Sequence, residues 1–318
     1  MSVITSKLTT KLAIPFCLIA AGVMQTLSLA PFNYWLLGPL SITLIIVATQ
    51  ALNNHPNNTD LHNKSRHRGF WYGALFGIGL FGSGASWIYV SIHTYGYASP
   101  ALASFLTIIF VLFLSFLFPA LVFWLHFKLI TKNQLSNALL FCALWVLGDE
   151  FRTEFLTGFP WLFLGYGHIE SPLAGWIPMT GVYGVTLITV ATGICISLFC
   201  ADTPKKLKYT TLIVITFLWL IGPLLNQINW SQKKDETLSV ALVQLNIPQE
   251  LKWQPAQRKK TLKLLEQLTR QYLHNDLIVW PETAIPLLHH QARPFLESMA
   301  ALTTSHDSNI ISGIPYRG

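Results

Sequence analysis

The chain has 318 residues, of which 52% are hydrophobic and only 11% charged, and its mean hydropathy is +0.46. That balance excludes an ordinary soluble globular domain. A formal net charge of +7 and a pI near 9.2 invite a nucleic-acid reading, so the positions of the cations matter more than their number.

A hydrocarbon core about 30 Å thick requires about 20 apolar residues per helix, and seven stretches between residues 12 and 225 are candidates. The first, 12–29, follows Lys7 and Lys11. Ser28-Leu29-Ala30 resembles a signal-peptide cleavage site, but Pro31 follows at once and further spans come later, so an uncleaved helix is expected. Residues 34–52 are the second span. A polar loop with Lys64, Arg66 and Arg68 leads to the third, 70–92, which holds Gly73, Gly77, Gly79, Gly82 and Gly84. Such small residues let helices approach closely in lipid. Residues 100–129 exceed the length of a span, which predicts a tilt or a kink at Pro119. The weakest span, 135–148, is expected to continue through Asp149, Glu150 and Phe151 to the surface. Residues 172–199 and 209–225 complete the set.

The cations fall on alternate loops. Lys7 and Lys11, then Lys64, Arg66 and Arg68, then Lys128 and Lys132, then Lys205, Lys206 and Lys208 share one side, against Arg152 alone on the other. The positive-inside rule makes that side, with the amino terminus, cytoplasmic and puts everything past residue 225 outside. The basic pI then reflects topology, and no nucleic-acid partner is implied. Cys17, Cys142, Cys195 and Cys200 all lie in or beside spans, where buried thiols act as small hydrophobes. No disulfide framework, cofactor or metal site is expected. His289 and His290 are adjacent and point apart on a helix or strand, which suits a solvated pair better than a metal.

A polar linker, 227–237, leads from the helical domain (1–226) to a second domain (238–318). There, 238–245 reads as a strand rich in Val and Leu. Residues 255–273 read as an amphipathic helix with Leu265, Leu268 and Tyr272 on one face. A strand at 277–280, a helix at 293–304 and a strand at 309–314 follow, and this β-α-β-α-β order implies a parallel or mixed sheet. Leu277 to Trp280 are continuously apolar, as in a strand buried on both faces. Pro281 cannot continue a sheet ladder. Glu282 is therefore the first ionisable group past the carboxyl end of a buried strand, where α/β folds usually place chemistry. A solvated or salt-bridged glutamate is the competing reading of that position.

Three ordered segments carry a resemblance. They are Thr157-Gly-Phe-Pro-Trp-Leu162 with Gly165-Tyr166, then Val240-Ala-Leu-Val-Gln244 through Asn246-Ile-Pro-Gln249 to Lys252-Trp253, then Trp280-Pro-Glu-Thr-Ala-Ile-Pro286. Together they resemble bacterial apolipoprotein N-acyltransferase, a membrane-bound family of the nitrilase-like superfamily. The resemblance implies a polytopic α-helical membrane domain of about seven spans, followed by the start of an α/β nitrilase-like domain, an α-β-β-α sandwich. It implies a glutamate, a lysine and a cysteine that act together: the glutamate takes the thiol proton, the thiolate attacks an acyl carbonyl and the lysine stabilises the oxyanion. Only the glutamate carries over, to Glu282. Lys252, Lys259, Lys260 and Lys263 precede the glutamate motif and do not match the family's lysine, so an amino-terminal portion of the enzyme is expected.

The implied partners are a phospholipid acyl donor and a diacylglyceryl apolipoprotein acceptor, at the bacterial inner membrane with the second domain periplasmic. Phe159 and Trp161 are candidate walls of an acyl-substrate cavity, or interfacial aromatics of the usual kind. Trp253 is a candidate cover over the active site, or a core anchor. A membrane-tethered amidase would share the glutamate motif without needing lipid-entry aromatics, and an inactive membrane binding module is a further reading. A transporter is disfavoured because the predicted spans carry almost no charge.

Overall fold

The computed structural model describes residues 2–53, 61–234 and 236–317, and their side chains except those of 2–12, 51–53 and 61–66. Lys7, Lys11, Lys64 and Arg66 therefore lie outside the described side chains. Contacts divide the chain into two compact units, Met1–Trp230 and Ser231–Gly318.

The first unit is helical. It contains α1 (Ser2–Leu27), α2 (Leu37–Asn53), α3 (Leu61–Gly84), and a short α4 (Ile88–Val90) that runs into a π-turn, Ser91–Tyr95. There follow α5 (Pro100–Leu117), α6 (Pro119–Leu129), α7 (Gln134–Glu154), α8 (Ile177–Cys200) and α9 (Lys205–Leu225). Among the described residues, three helical stretches are long and apolar enough to cross a bilayer: Pro100–Leu129, Pro172–Cys200 and Lys205–Leu225. A fourth arises if His67–Gly84 and Ile88–Tyr95, bent by 57°, count as one span. The apolar parts of α1 and α2, Ala13–Leu27 and Leu37–Gln50, are shorter. This is a membrane protein with several apolar helices of unequal length.

Two breaks have local causes. Pro119 has no N–H to offer the preceding turn, so α5 stops at Leu117 and α6 starts on the proline, as expected. The stretch 70–92, expected as a single helix, instead bends after Gly84, where a Cβ would sit 2.7 Å from the Leu162 side chain.

α3 is the hub, packed against α1, α5 and α6. Its glycines make that possible. A Cβ on Gly79 would strike the Ile19 carbonyl, and one on Gly22 would strike the Phe76 carbonyl, so α1 and α3 meet backbone to backbone. On the other side Gly73 faces the Pro119 carbonyl and Gly77 lies against Ser115. Gly82 differs, since a Cβ there would meet nothing within 4 Å. Around this seam the core is aromatic: Phe76 stacks on Phe123, and Trp145 meets Phe76 edge-on and Phe141 at a tilt.

The second unit holds three parallel strands in the order β1-β2-β3: β1 (Val240–Leu242), β2 (Leu277–Val279) and β3 (Asn309–Ile311). Ala241, Ile278 and Ile310 stand in register. The connections carry α10 (Gln249–Lys252), α11 (Pro255–Gln271) and α12 (His289–Thr304). Leu265, Ile278, Ala292 and Met299 close the core between helices and sheet. Trp280 joins them, donating from Nε1 to Thr269 Oγ1 at 3.1 Å and stacking on Phe295.

Two expectations need correction. β2 is covered on one face: Ile278 and Trp280 are buried while Leu277 and Val279 are half-buried, and Leu242 on the neighbouring strand is 79% exposed. Tyr272 leaves the apolar face of α11 because the helix ends at Gln271, and the ring is exposed. At the amino edge of the sheet, Asp276 accepts hydrogen bonds from Ser239 N–H at 2.6 Å and Ser239 Oγ at 2.7 Å, tying β1 to β2.

The glycine seam predicts opposite outcomes for two neighbouring substitutions. Gly79→Val should cost at least about 1–3 kcal/mol, the usual range for overpacking. Gly82→Ala should be neutral, or stabilising by up to about 1 kcal/mol, because alanine favours a helix over glycine. Thermal melts in detergent compare them, and equal melting temperatures would refute the close-packed seam. A second prediction concerns acid. The bonds from Ser239 hold the Asp276 carboxyl below its ordinary range. The unfolded chain then binds the proton first, so this stabilisation is complete above the unfolded value of about 3.9 and is lost as pH falls through the folded value. Asp276→Asn should flatten the acid limb of the second unit's unfolding curve, read from the circular dichroism of its helices.

Candidate functional site

Glu282 stands where a parallel sheet collects functional groups, at the carboxyl edge beside β2 and β3. Trp280 N–H still bonds the Ile311 carbonyl at 2.9 Å, and then Pro281 ends the ladder. Thr283, with φ +55°, turns the chain and donates its N–H to Gly313 O at 3.1 Å. This turn holds the Glu282 backbone against the end of β3. Glycine at 313 leaves room for the carboxylate stem, since a Cβ there would sit 3.2 Å from Glu282 Cγ. Glu282 is exposed, and among the described residues it forms no salt bridge and accepts no hydrogen bond. The salt-bridged reading therefore has no partner here.

Trp253 caps the carboxyl end of α10 and is 51% exposed. It lies outside the core of its unit, which removes the anchor reading. Among the described residues it makes no aromatic or hydrogen-bonded contact with Glu282.

Phe159 and Trp161 come together in the first unit, their rings 5.0 Å apart. Phe159 is half-buried against Phe81 and Phe110. Trp161 projects, 52% exposed. The segment that carries them departs from helix through a run of left-handed residues, Leu156, Thr157 and Gly158, with Leu162 at its far end. Gly158 is required twice over, by φ +84° and because a Cβ would strike the Thr153 carbonyl.

Such a backbone persists only where its surroundings hold it, and here a buried polar cluster does so. Arg152 O accepts the Phe159 N–H at 2.8 Å, and Gln25 Nε2 donates to Leu162 O at 2.8 Å, so the segment is tied at both ends. Arg152 donates from a guanidinium nitrogen to Asp149 Oδ1 at 3.0 Å and lies over the rings of Phe163 and Phe81. The pair, Asp149 and Arg152, is buried. This corrects the expectation that the chain reaches the surface at Asp149 and that its apolar helices bury almost no charge. An acid and a base three apart on an apolar helix share one face, and that spacing was the signal available. Gln25 Oε1, Asp149 Oδ2 and Arg152 Nε have no protein partner among the described residues, and all three side chains line a cavity of about 30 Å³. That is room for a water molecule, which the three groups would hold.

Removing one member of the pair strands the other. Arg152→Ala should cost about 3–5 kcal/mol, and replacing both Asp149 and Arg152 by leucine should recover most of that loss. Denaturant titration in detergent reads the difference, and a double variant less stable than the single one would contradict the uncompensated-charge account.

Comparison with known proteins covers both units. Residues 21–195 match the family described as "Apolipoprotein N-acyltransferase N-terminal domain", and residues 239–318 match "Carbon-nitrogen hydrolase". The chain is 39% identical over 307 residues to the apolipoprotein N-acyltransferase of Pseudomonas paraeruginosa, covering 94% of this chain and 57% of that protein. It is 38% identical over 303 residues to that of Pseudomonas putida, with the same coverage. It is 37% identical over 297 residues to that of Coxiella burnetii, covering 93% of this chain and 59% of the relative. The chain thus spans somewhat more than half the length of these relatives. By a match that takes in more than half of its residues, it belongs to the family of the apolipoprotein N-acyltransferase N-terminal domain.

Proposed function

We propose that this chain is the amino-terminal portion of an enzyme that moves a fatty acyl group from a phospholipid, through a cysteine thioester, to the N-terminal amine of a diacylglyceryl-cysteine on an apolipoprotein. The observation that carries the reading is similarity to proteins of that name across both units. Glu282, exposed at the carboxyl edge of a parallel sheet and without a partner among the described residues, adds a chemical reason.

In this reading Glu282 accepts the proton of the catalytic thiol. The thiolate forms a bond to the ester carbonyl, the glycerol oxygen leaves, and the acceptor amine then displaces the thiol to leave an amide. None of Cys17, Cys142, Cys195 and Cys200 is given the nucleophile's role; all belong to the helical unit, where Cys142 and Cys195 are buried. Phe159 and Trp161 form a wall for the acyl chain, and Trp253 serves as a cover. The helical unit crosses the inner membrane seven times with its amino terminus in the cytoplasm, and the sheet unit is periplasmic. Both substrates are lipid-anchored, so a bilayer-bound scaffold reduces their search to a plane and fixes their orientation. The exposed apolar face of the sheet, with Val240, Leu242 and Ile311, suits the second sheet of an α-β-β-α sandwich.

Two measurements test this. In a protein of the relatives' full length that carries residues 1–318, Glu282→Gln should slow single-turnover acylation of the cysteine by about 10²–10⁴-fold. Its melting temperature should not change, because among the described residues the carboxylate makes no salt bridge or hydrogen bond. Acylation at the unaltered rate would remove Glu282 from the chemistry. Reporter fusions address the orientation: one after Thr237 should be active only outside the cytoplasm, and one after Lys208 only inside. Cytoplasmic activity of the Thr237 fusion would overturn the proposed site of action.

A further inference from the structure

The far end of the helical unit holds a second feature of a size to bind a ligand. The ends of α2, α6, α7 and α8, with the turn that follows α8, enclose a cavity of about 520 Å³. This is within the range of roughly 300–1,000 Å³ typical of small-molecule sites. It begins at Gln134, the first residue of α7, whereas the Phe159–Leu162 segment follows the last. Phe141 is the last lining residue on α7, so thirteen residues of helix at about 1.5 Å each, roughly 20 Å, lie between the cavity and the end of α7.

The lining divides by depth of chemistry. Ile45, Phe123, Phe141 and Ile194 give it an apolar wall continuous with the helix core. Gln50, His126, Asp202 and Thr203 supply polar groups. Three other polar residues there are already occupied: Asn137 bonds Thr131 through both ends of its amide, and the hydroxyls of Thr49 and Ser197 bond carbonyls of their own helices. His126 Nδ1 and Thr203 Oγ1 are different, since both are buried and have no partner among the described residues. A buried polar atom left without a partner is costly, and one that lines a cavity is relieved by a polar ligand or by the water it brings.

Several cations offset the one lining carboxylate, Asp202, at the same end. Lys205 and Lys206 follow Thr203 within three residues and are exposed, and Lys208 Nζ donates to the carbonyl of the lining residue Ala201 at 2.9 Å. Lys128 lies over the Trp124 ring, between the lining residues Phe127 and Ile130 in the chain. A small polar metabolite would leave the aromatic and aliphatic wall uncovered, and water alone would leave it hydrated at a cost. A molecule with an apolar chain and an anionic head satisfies both parts.

We propose that this cavity is a binding site for one glycerophospholipid of the leaflet at the lysine-bearing end. An acyl chain lies against Ile45, Phe123, Phe141 and Ile194, and the phosphate head lies at the turn 201–203 beside Lys205 and Lys206. The site is separate from the Phe159–Leu162 segment and does not depend on the function proposed for it.

The test uses the purified 318-residue chain in phosphatidylcholine vesicles doped with phosphatidylglycerol that bears a photoactivatable diazirine on one acyl chain. After irradiation, adducts are mapped by peptide mass spectrometry. They should concentrate on residues 45–50, 134–141 and 194–203, above the level on Ile213, Phe217 and Leu220, which are exposed on α9 and report ordinary lipid contact. Ala201→Trp, which fills the cavity, should cut the cavity adducts about tenfold while leaving those on α9 unchanged. Lys205→Glu with Lys206→Glu alters exposed residues only and should cut them several-fold, which keeps the test decisive if the tryptophan variant does not fold. Cavity labelling no denser than that on α9, or unchanged in the charge-reversed variant, would overturn the site.

Discussion

Everything in the helical unit depends on how closely α1 and α3 approach. Within a bilayer, lipid tails are as apolar as leucine, so helices gain nothing by hiding hydrophobic surface from one another and associate through packing instead. Gly22 and Gly79 bring the two backbones into contact, and Gly73 and Gly77 extend that contact to α5 and α6. With α3 held on both sides, Phe76 and Phe81 reach the interior, where Phe123 and Phe159 complete the packing. The seam therefore supports the aromatic segment as well as the bundle.

A second constraint fixes where that segment points. Asp149 and Arg152 are costly to bury, and the cost is offset by their mutual bond, by two aromatic faces and by the chain ends they secure. Arg152 acts through its carbonyl as well as its guanidinium, and Gln25 reaches across from α1 to the other end of the segment. Phe159 is thereby seated and Trp161 presented, an arrangement in which strain at Leu156, Thr157 and Leu162 is held by the surroundings and not by local preference.

The sheet unit follows a different logic. Parallel pairing places the carboxyl ends of β2 and β3 side by side, and a left-handed Thr283 with a glycine opposite leaves Glu282 exposed, without a partner among the described residues.

Much of this was legible in the residues. Hydropathy located the apolar helices, Pro119 predicted the break between α5 and α6, and Pro281 predicted where β2 stops; each is a property of a few consecutive residues. The parallel β-α-β-α-β order followed from alternating strand and helix patterns, and with it the place of Glu282 beyond a strand end. Other features needed the fold. Asp149 reads as a surface residue because a carboxylate on its own belongs in water, and only the packing of Phe81 and Phe163 on Arg152 makes its burial tolerable. The glycines of α3 look alike in the sequence, yet Gly79 meets a backbone and Gly82 meets open space. Trp253 reads equally as anchor or cover in the sequence, and only the fold places it outside its unit's core. Local chemistry determined which elements form and where they end. Which face each one buries was decided by neighbours distant in the chain, because burial is a property of the pair and not of either member.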